Sequence, residues 1–146
     1  MEKIIIASDH AGFRLKEKIV RWLLANRYEV KDIGCFSEDS VDYPDFAHPL
    51  AIAVEKGEFN YGITICGSGN GINMASNKHQ KIRSAICWNE EISKLARAHN
   101  DANICALPGR FLNEGEAILI VKTFLNTPFE GGRHQRRIDK IPIKVY

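Results

Sequence analysis

The chain has 146 residues, of which 45% are hydrophobic and 26% are charged, and its formal net charge is +2. This length and composition predict one compact domain over residues 1–146 and exclude a disordered protein. No apolar run reaches ~18 residues and no signal-peptide pattern opens the chain, so the sequence predicts a cytoplasmic protein without a membrane span.

Apolar runs of strand length alternate with segments of helical periodicity along the chain. The predicted strands cover residues 3–8, 29–33, 62–66, 82–88 and 103–107. The predicted helices cover residues 12–26, 46–55, 70–78, 90–99 and 113–125. This alternation predicts a Rossmann-like α/β fold, a three-layer α/β/α sandwich around a five-stranded parallel sheet, with a C-terminal extension.

The first predicted strand is followed by Asp9 and His10. Ligands of open parallel sheets bind beyond the carboxyl ends of the strands, so both side chains are candidates for a binding site. Asp9 is also a good helix N-cap, and that role alone could explain it. His10 would lie in the first helical turn, where backbone N–H groups favour anions.

The third predicted strand leads into the sequence TICGSGNG at residues 64–71. No G-K-[ST] follows, so this is not a P-loop, and Ile72 limits the match to half of the dinucleotide-binding pattern G-x-G-x-x-G. Gly67, Gly69 and Gly71 can nevertheless turn successive amide groups towards one negative oxygen, with a helix beginning near Asn70. The loop therefore predicts an anion cradle.

Cys66 stands at the mouth of this loop, where amide donors and a helix start favour the thiolate. A thiolate there could act as a nucleophile, which usually needs a nearby imidazole, or as a base on a carbon acid beside a carbonyl. A structural cysteine at the strand end is the third possibility. The other cysteines, at positions 35, 87 and 105, form no C-x-x-C pair and predict free buried thiols rather than a metal site.

His99 and Asn100 precede the fifth predicted strand. On a doubly wound sheet this places them at the amino end, opposite to a site built around Cys66. Two interpretations stay open: the pair is structural, which the sequence alone favours, or it serves the site of a neighbouring subunit.

The last 17 residues form a basic tail, with five arginines and lysines against two acidic residues. Arg133 and Arg137 are four apart and share a face if the segment is helical, which suits a phosphate group. Arg110, after the fifth strand, is a candidate third cation. The tail lacks aromatic residues between its charges, so it is weak evidence for nucleic-acid binding.

Five motifs in this order resemble the ribose-5-phosphate isomerase B family of sugar-phosphate isomerases. They are Asp9-His10 after an Ile-rich strand, DYPDFA at 42–47, CGSGNGI at 66–72, AHND at 98–101 and GGRHQRR at 131–137. The resemblance runs nearly from end to end. Related isomerases of six-carbon substrates, allose and galactose 6-phosphates, share the fold.

The resemblance implies an aldose–ketose isomerase that interconverts D-ribose 5-phosphate and D-ribulose 5-phosphate without a metal or an organic cofactor. It implies Cys66 as the base that moves a proton between C2 and C1, and His99 as the group that assists ring opening. The remaining implied contacts are the amides of Gly67, Ser68, Gly69, Asn70 and Gly71 with the Ser68 hydroxyl for the enediolate, Asp9 and Asn100 for sugar hydroxyls, and His10, Arg110, Arg133 and Arg137 around the phosphate.

The resemblance also implies a homodimer or a dimer of dimers with its sites at the subunit interface, which reverses the structural interpretation of His99. A cysteine at position 66 favours pentose over galactose phosphates, although a six-carbon sugar phosphate stays an alternative substrate. A non-catalytic nucleotide-binding module, using the glycine loop and Glu90, is the alternative of another class. We expect neither a nucleic-acid nor a membrane partner.

Overall fold

The computed structural model describes residues 2–144. Five strands form one sheet: β1 (Lys3–Ser8), β2 (Glu29–Asp32), β3 (Tyr61–Cys66), β4 (Ser84–Ile86) and β5 (Ile104–Pro108). The six α-helices are α1 (Phe13–Ala25), α2 (Pro44–Glu55), α3 (Asn70–Ser76), α4 (Glu90–Ala98), α5 (Glu114–Asn126) and α6 (Arg133–Ile138). All strand pairs are parallel, in the order β2-β1-β3-β5-β4.

Two groups of helices cover the two faces of the sheet. One face packs α1, α4 and α5 through apolar side chains such as Ile19, Ala96 and Phe124 against Ile63 and Leu107. The opposite face packs α2 and α3 against alternate residues of the same strands. This alternation arises because successive strand side chains point to opposite faces, and the predicted three-layer α/β/α sandwich is confirmed.

Two segments differ in detail from the sequence-based expectation. Strand β4 is shorter than predicted, since it is an edge strand that pairs only with β5. The first helical segment begins with a 3₁₀ turn, His10–Gly12, before α1 starts at Phe13. The Asp9 side chain accepts a hydrogen bond from the Gly12 amide and so caps this turn, which confirms its predicted capping role.

The topology fixes where a ligand can enter. The chain leaves β1 towards β2 on one side and continues from β3 towards β5 and β4 on the other. The carboxyl ends of β1 and β3 therefore form the switch point of the sheet, the usual position of ligand sites in open α/β folds. No helix within residues 2–144 is both long enough and apolar enough to cross a membrane.

Candidate active site

An open cleft of about 490 Å³ lies at this switch point. It is lined by Asp9, Tyr43, Cys66, Gly67, Ser68, Gly71, Arg110 and Phe111. These residues lie at or just after the ends of β1, β3 and β5, with Gly71 in the first turn of α3, except for Tyr43, which immediately precedes α2. The structure thus brings together the predicted site residues that follow strands.

Cys66 is the last residue of β3 and is only 4% exposed. Its carbonyl accepts a hydrogen bond from the Gly109 amide at 2.8 Å, which ties the strand end to the loop after β5. Cys66 borders the cleft, whereas Cys105 lies fully buried inside the sheet. Burial raises the pKa of the Cys105 thiol well above its ordinary value, and neighbouring Cys87 adds to the rise. The thiol placed to meet a ligand is therefore that of Cys66.

The loop after Cys66 presents unused hydrogen-bond donors. Within residues 2–144, the amide groups of Gly67, Ser68 and Gly69 donate to no acceptor, while the Asn70 amide donates to the Ser68 hydroxyl at 3.2 Å. Gly69 has a φ of +78° and an added Cβ would lie 3.2 Å from the backbone of Leu107. Only glycine meets both conditions without strain, and this geometry agrees with the predicted anion cradle.

Tyr43 closes one side of the cradle. Its ring packs so closely over Gly71 that a Cβ at position 71 would overlap it. Arg110 approaches from the other side: its guanidinium lies against Gly67, where an added Cβ would be 3.3 Å from Nη1. The Arg110 amide also donates to the Gly67 carbonyl at 3.0 Å. An aromatic wall and a cation therefore flank the glycine loop that follows Cys66.

Asp9 and His10 lie beside the cleft in defined orientations. Asp9 is 7% exposed, and Oδ1 accepts from the Gly12 amide at 3.1 Å. Its Oδ2 makes no hydrogen bond within residues 2–144, and it can therefore accept one from a ligand. The Nδ1 atom of His10 accepts from the Val41 amide at 3.2 Å. A neutral His10 ring consequently carries its proton on Nε2, where it can donate to an anion.

His99 and Asn100 lie at the opposite, amino end of the sheet. His99 follows the last residue of α4, and β5 starts five residues later. Pro108, at the far end of β5, pairs with Cys66. A five-residue strand separates its ends by roughly 13 Å at about 3.3 Å per residue. One chain therefore does not bring His99 to its own Cys66.

The turn that carries His99 and Asn100 is held by a charged clamp. Asp101 has a φ of +46° and pairs through Oδ1 with Arg97 at 2.8 Å and through Oδ2 with Arg83 at 3.4 Å. Arg97 is 5% exposed and also donates to the Ala102 carbonyl at 2.6 Å. These contacts leave Asn100 on a separate groove of about 380 Å³ beside β4.

The tail packs against the same end of the sheet. Arg133 and Arg137 both lie on α6, so the expected helix and their shared face are present. Both are exposed, and neither forms an ion pair within residues 2–144. Their guanidinium groups are available for an anion, although α6 is held near His99 rather than near Cys66.

One group of side chains in the described structure has donors close enough to suggest a metal. His99, Glu130 and His134 place one donor atom each within 4.8 Å of one another. The two imidazole rings are stacked, however, with an angle of 15° between their planes. Nitrogen lone pairs lie in the ring plane, and two nearly parallel rings with centroids 4.3 Å apart are poorly placed to direct lone pairs at one tetrahedral ion, so this arrangement does not favour a metal site.

Sequence reasoning did not single out four residues that the structure places at these two regions. Tyr43 and Phe111 line the cleft, and their side chains are 39% and 75% exposed. Glu130 and His134 surround His99. The only available signal was position: Tyr43 lies in DYPDFA, Phe111 follows Arg110, and the other two flank or lie within GGRHQRR.

Comparisons with known proteins agree with this geometry. A model of the Ribose/Galactose Isomerase family matches residues 4–141. Ribose-5-phosphate isomerase B of Escherichia coli is 43% identical over 141 residues, covering 97% of this chain and 95% of the relative.

Solved structures show the same likeness. A ribose 5-phosphate isomerase from Thermotoga maritima superposes with a TM-score of 0.95 at 50% identity, covering 97% of each chain. Ribose-5-phosphate isomerase B from Mycoplasma genitalium, solved with bound ribulose 5-phosphate, gives a TM-score of 0.92 at 45% identity, with 95% and 93% of the two chains covered. The predicted resemblance is confirmed, and the chain belongs to the ribose/galactose isomerase family.

Proposed function

We propose that this protein interconverts D-ribose 5-phosphate and D-ribulose 5-phosphate through an enediolate, with Cys66 as the base. The observation that carries the proposal is the position of Cys66 in the cleft, directly beside three amide groups that lack an acceptor within residues 2–144. The family and the pentose phosphate bound by the Mycoplasma genitalium relative support this choice of substrate.

The reaction needs a proton transfer and a place for negative charge. The Cys66 thiolate takes the C2 proton of the open-chain aldose, and the electrons move to the carbonyl oxygen to form the enediolate. The free amides of Gly67, Ser68 and Gly69, together with the Ser68 hydroxyl, stabilise the charged oxygens, as an oxyanion hole does; the Asn70 amide donates to the Ser68 hydroxyl in this structure. Return of the proton to C1, with transfer of the hydroxyl proton between the two oxygens, completes the ketose. Asp9 binds a sugar hydroxyl beside this centre.

The phosphate requires cations at a distance from the thiol. His10 offers an Nε2 proton, and Arg110 lies on the same side of the sheet as Cys66. Arg133 and Arg137 add two exposed guanidinium groups on one helix face. Binding energy from the phosphate then positions C2 over the sulfur, which is how a non-reacting group lowers a barrier.

Two subunits supply one site in this proposal. His99, Asn100, Arg133 and Arg137 lie at the amino end of the sheet, and Cys66, Asp9 and Arg110 lie at the carboxyl end. A homodimer, or a dimer of dimers, would join the carboxyl end of one subunit to the amino end of the next. The tail, residues 130–146, would contribute to the partner's site; residues 145 and 146 lie outside the described part.

The proposal assigns no cofactor, and it places the protein in the cytoplasm. All four cysteines are unpaired thiols, which supports a reducing compartment. The expected partners are the sugar phosphate and further copies of this chain, without nucleic acid or membrane.

Conversion of ribose 5-phosphate by the wild-type protein and by Cys66→Ala, with a chelator present, tests the proposal. We expect a loss of ~100-fold or more in kcat for a variant that keeps its melting temperature, since general base catalysis contributes 10²–10⁴-fold. Cys105→Ala serves as the control for thiol loss away from the cleft. Wild-type inactivity on pentose phosphates would overturn the substrate, and full activity of Cys66→Ala would overturn the base.

A further inference from the structure

We propose that His134 and Glu130 are positioning residues, which hold the His99 imidazole in the orientation that opening and closing of the furanose ring requires. The inference rests on the proposed function, because the task of His99 comes from that function.

His134 fixes the plane of the His99 ring. The two imidazoles are stacked, with centroids 4.3 Å apart and planes at 15°. The His134 side chain is only 11% exposed, whereas that of His99 is 39% exposed. A mostly buried ring thus supports one face of a half-exposed ring. Because the contact is face to face, it leaves the edge of His99, with its nitrogens, open to a ligand.

Glu130 places its carboxylate near the Nε2 edge of His99, at ion-pair distance rather than hydrogen-bond distance. Its Oε2 atom lies 3.8 Å from His99 Nε2 and 3.5 Å from His134 Nε2. The Glu130 amide donates to the Ala98 carbonyl at 3.0 Å, which attaches this residue to the end of α4. One carboxylate therefore faces the Nε2 atoms of both rings. Within residues 2–144, no side-chain hydrogen bond reaches His99 Nδ1, so this nitrogen can meet the sugar.

The backbone under His99 is held by other residues. Arg83 and Arg97 clamp Asp101, and the Ala102 amide donates to the Ala96 carbonyl at 3.0 Å. None of these contacts involves His134 or Glu130. Removing either side chain should therefore release the imidazole and leave its turn in place, which separates positioning from general stability.

The rate of ring opening depends strongly on the orientation of the imidazole relative to the two sugar oxygens. The C1–O4 bond breaks, the bond from C1 to its own oxygen becomes a carbonyl, that oxygen loses a proton, and O4 gains one. An imidazole fixed beside the anomeric centre can accept the first proton and donate the second. A freely rotating ring meets both oxygens less often, and a small displacement of a catalytic group can cost a large factor in rate.

The test uses ribulose 5-phosphate labelled with deuterium at C1. This ketose cannot close a furanose ring, since its C5 oxygen carries the phosphate, so loss of the label to water reports enediolate formation alone. Conversion of ribose 5-phosphate starts from the closed furanose and also requires ring opening. The quantity to measure, by NMR, is the ratio of the rate of label loss to the rate of ribose 5-phosphate conversion by the same preparation, which a partly unfolded enzyme preparation would leave unchanged.

We expect His134→Ala to raise this ratio about fivefold or more, as part of the 10²–10⁴-fold that proton transfer by a side chain contributes. His134→Phe keeps a flat ring against His99 and should restore most of the wild-type ratio. Glu130→Gln should raise the ratio as well, and this exposed position keeps the test open if His134→Ala fails to fold. Gln135→Ala, an exposed neighbour on α6, is the matched control.

Two results would contradict the account at different levels. A wild-type ratio in both His134→Ala and Glu130→Gln, with the wild type active, would overturn the positioning role alone. A wild-type protein that neither releases the label nor converts ribose 5-phosphate would overturn the proposed function itself.

Discussion

The two ends of the sheet hold their functional residues by different means. At the carboxyl end, Cys66 and Asp9 are fixed by the main chain, because Cys66 ends a central strand and the Asp9 amide donates to the Ile65 carbonyl at 3.1 Å. At the amino end, His99 is fixed by side chains: the Asp101 clamp, the stacked His134 ring and the Glu130 carboxylate. Cys66, the base in the proposed reaction, is thus held by the core of the sheet, whereas His99, the proposed ring-opening group, is held by side chains near the surface.

This difference suggests a division of labour. Strand ends hold residues rigidly, which suits proton abstraction from carbon, because a small displacement of the thiol would lower the rate by a large factor. In the proposed shared site, the amino end supplies longer, charged side chains, which would reach a substrate held by another subunit. Substitutions at the two ends should therefore give different kinetic signatures.

The largest effect expected at the amino end comes from removing the phosphate cations. Arg133→Ala combined with Arg137→Ala should raise KM for ribose 5-phosphate by ~100-fold or more, because each charged hydrogen bond contributes about 1.5–3 kcal/mol. Stability should change little, since both side chains are exposed and unpaired within residues 2–144. Steady-state kinetics of the double variant measure this.

Lys140→Ala is the control for loss of a positive charge from the tail, because Lys140 is exposed and lies beyond the end of α6. If the double variant and Lys140→Ala have equal KM values, Arg133 and Arg137 do not bind the phosphate.

A smaller effect is expected in the cradle at the carboxyl end. Gly69→Ala should lower the free energy of unfolding by more than the 1–3 kcal/mol typical of a strained backbone, because the new Cβ also lies 3.2 Å from the Leu107 backbone. Gly57→Ala isolates the strain, since Gly57 has a φ of +75° and open space around its Cα. Thermal unfolding and kcat of both variants give the comparison.

Gly69→Ala should also lose activity, because shifting the loop misdirects the amides of Ser68 and Gly69. If the two alanine variants have equal stability and equal activity, the close approach of the cradle to β5 contributes to neither the free energy of unfolding nor kcat.

Much of the carboxyl end could be predicted from the sequence because its signals are local. Apolar runs indicate β1 and β3, and the ends of those runs predict that Asp9 and Cys66 lie at the carboxyl edge of the sheet. The glycines of the cradle stand in one short segment.

The amino end could be predicted only in part, because its contacts join distant positions. His99 and His134 are 35 residues apart, and no periodicity connects them. Tyr43 over Gly71 is a similar case, since an exposed aromatic residue before a helix carries no pattern of its own. The sequence did indicate that His99 lies away from Cys66, but this topological observation left two interpretations, a structural role or a second subunit, and only the family resemblance favoured the second.

The shared site is the central claim, and mixing two inactive variants tests it most directly. Cys66→Ala and His99→Ala homodimers are purified, allowed to exchange subunits, and assayed on ribose 5-phosphate, with exchange verified by mass spectrometry. Each mixed dimer of a two-fold assembly would contain one intact site, so we expect recovery of about a quarter of wild-type activity. No recovery despite verified exchange would contradict a site built from two subunits.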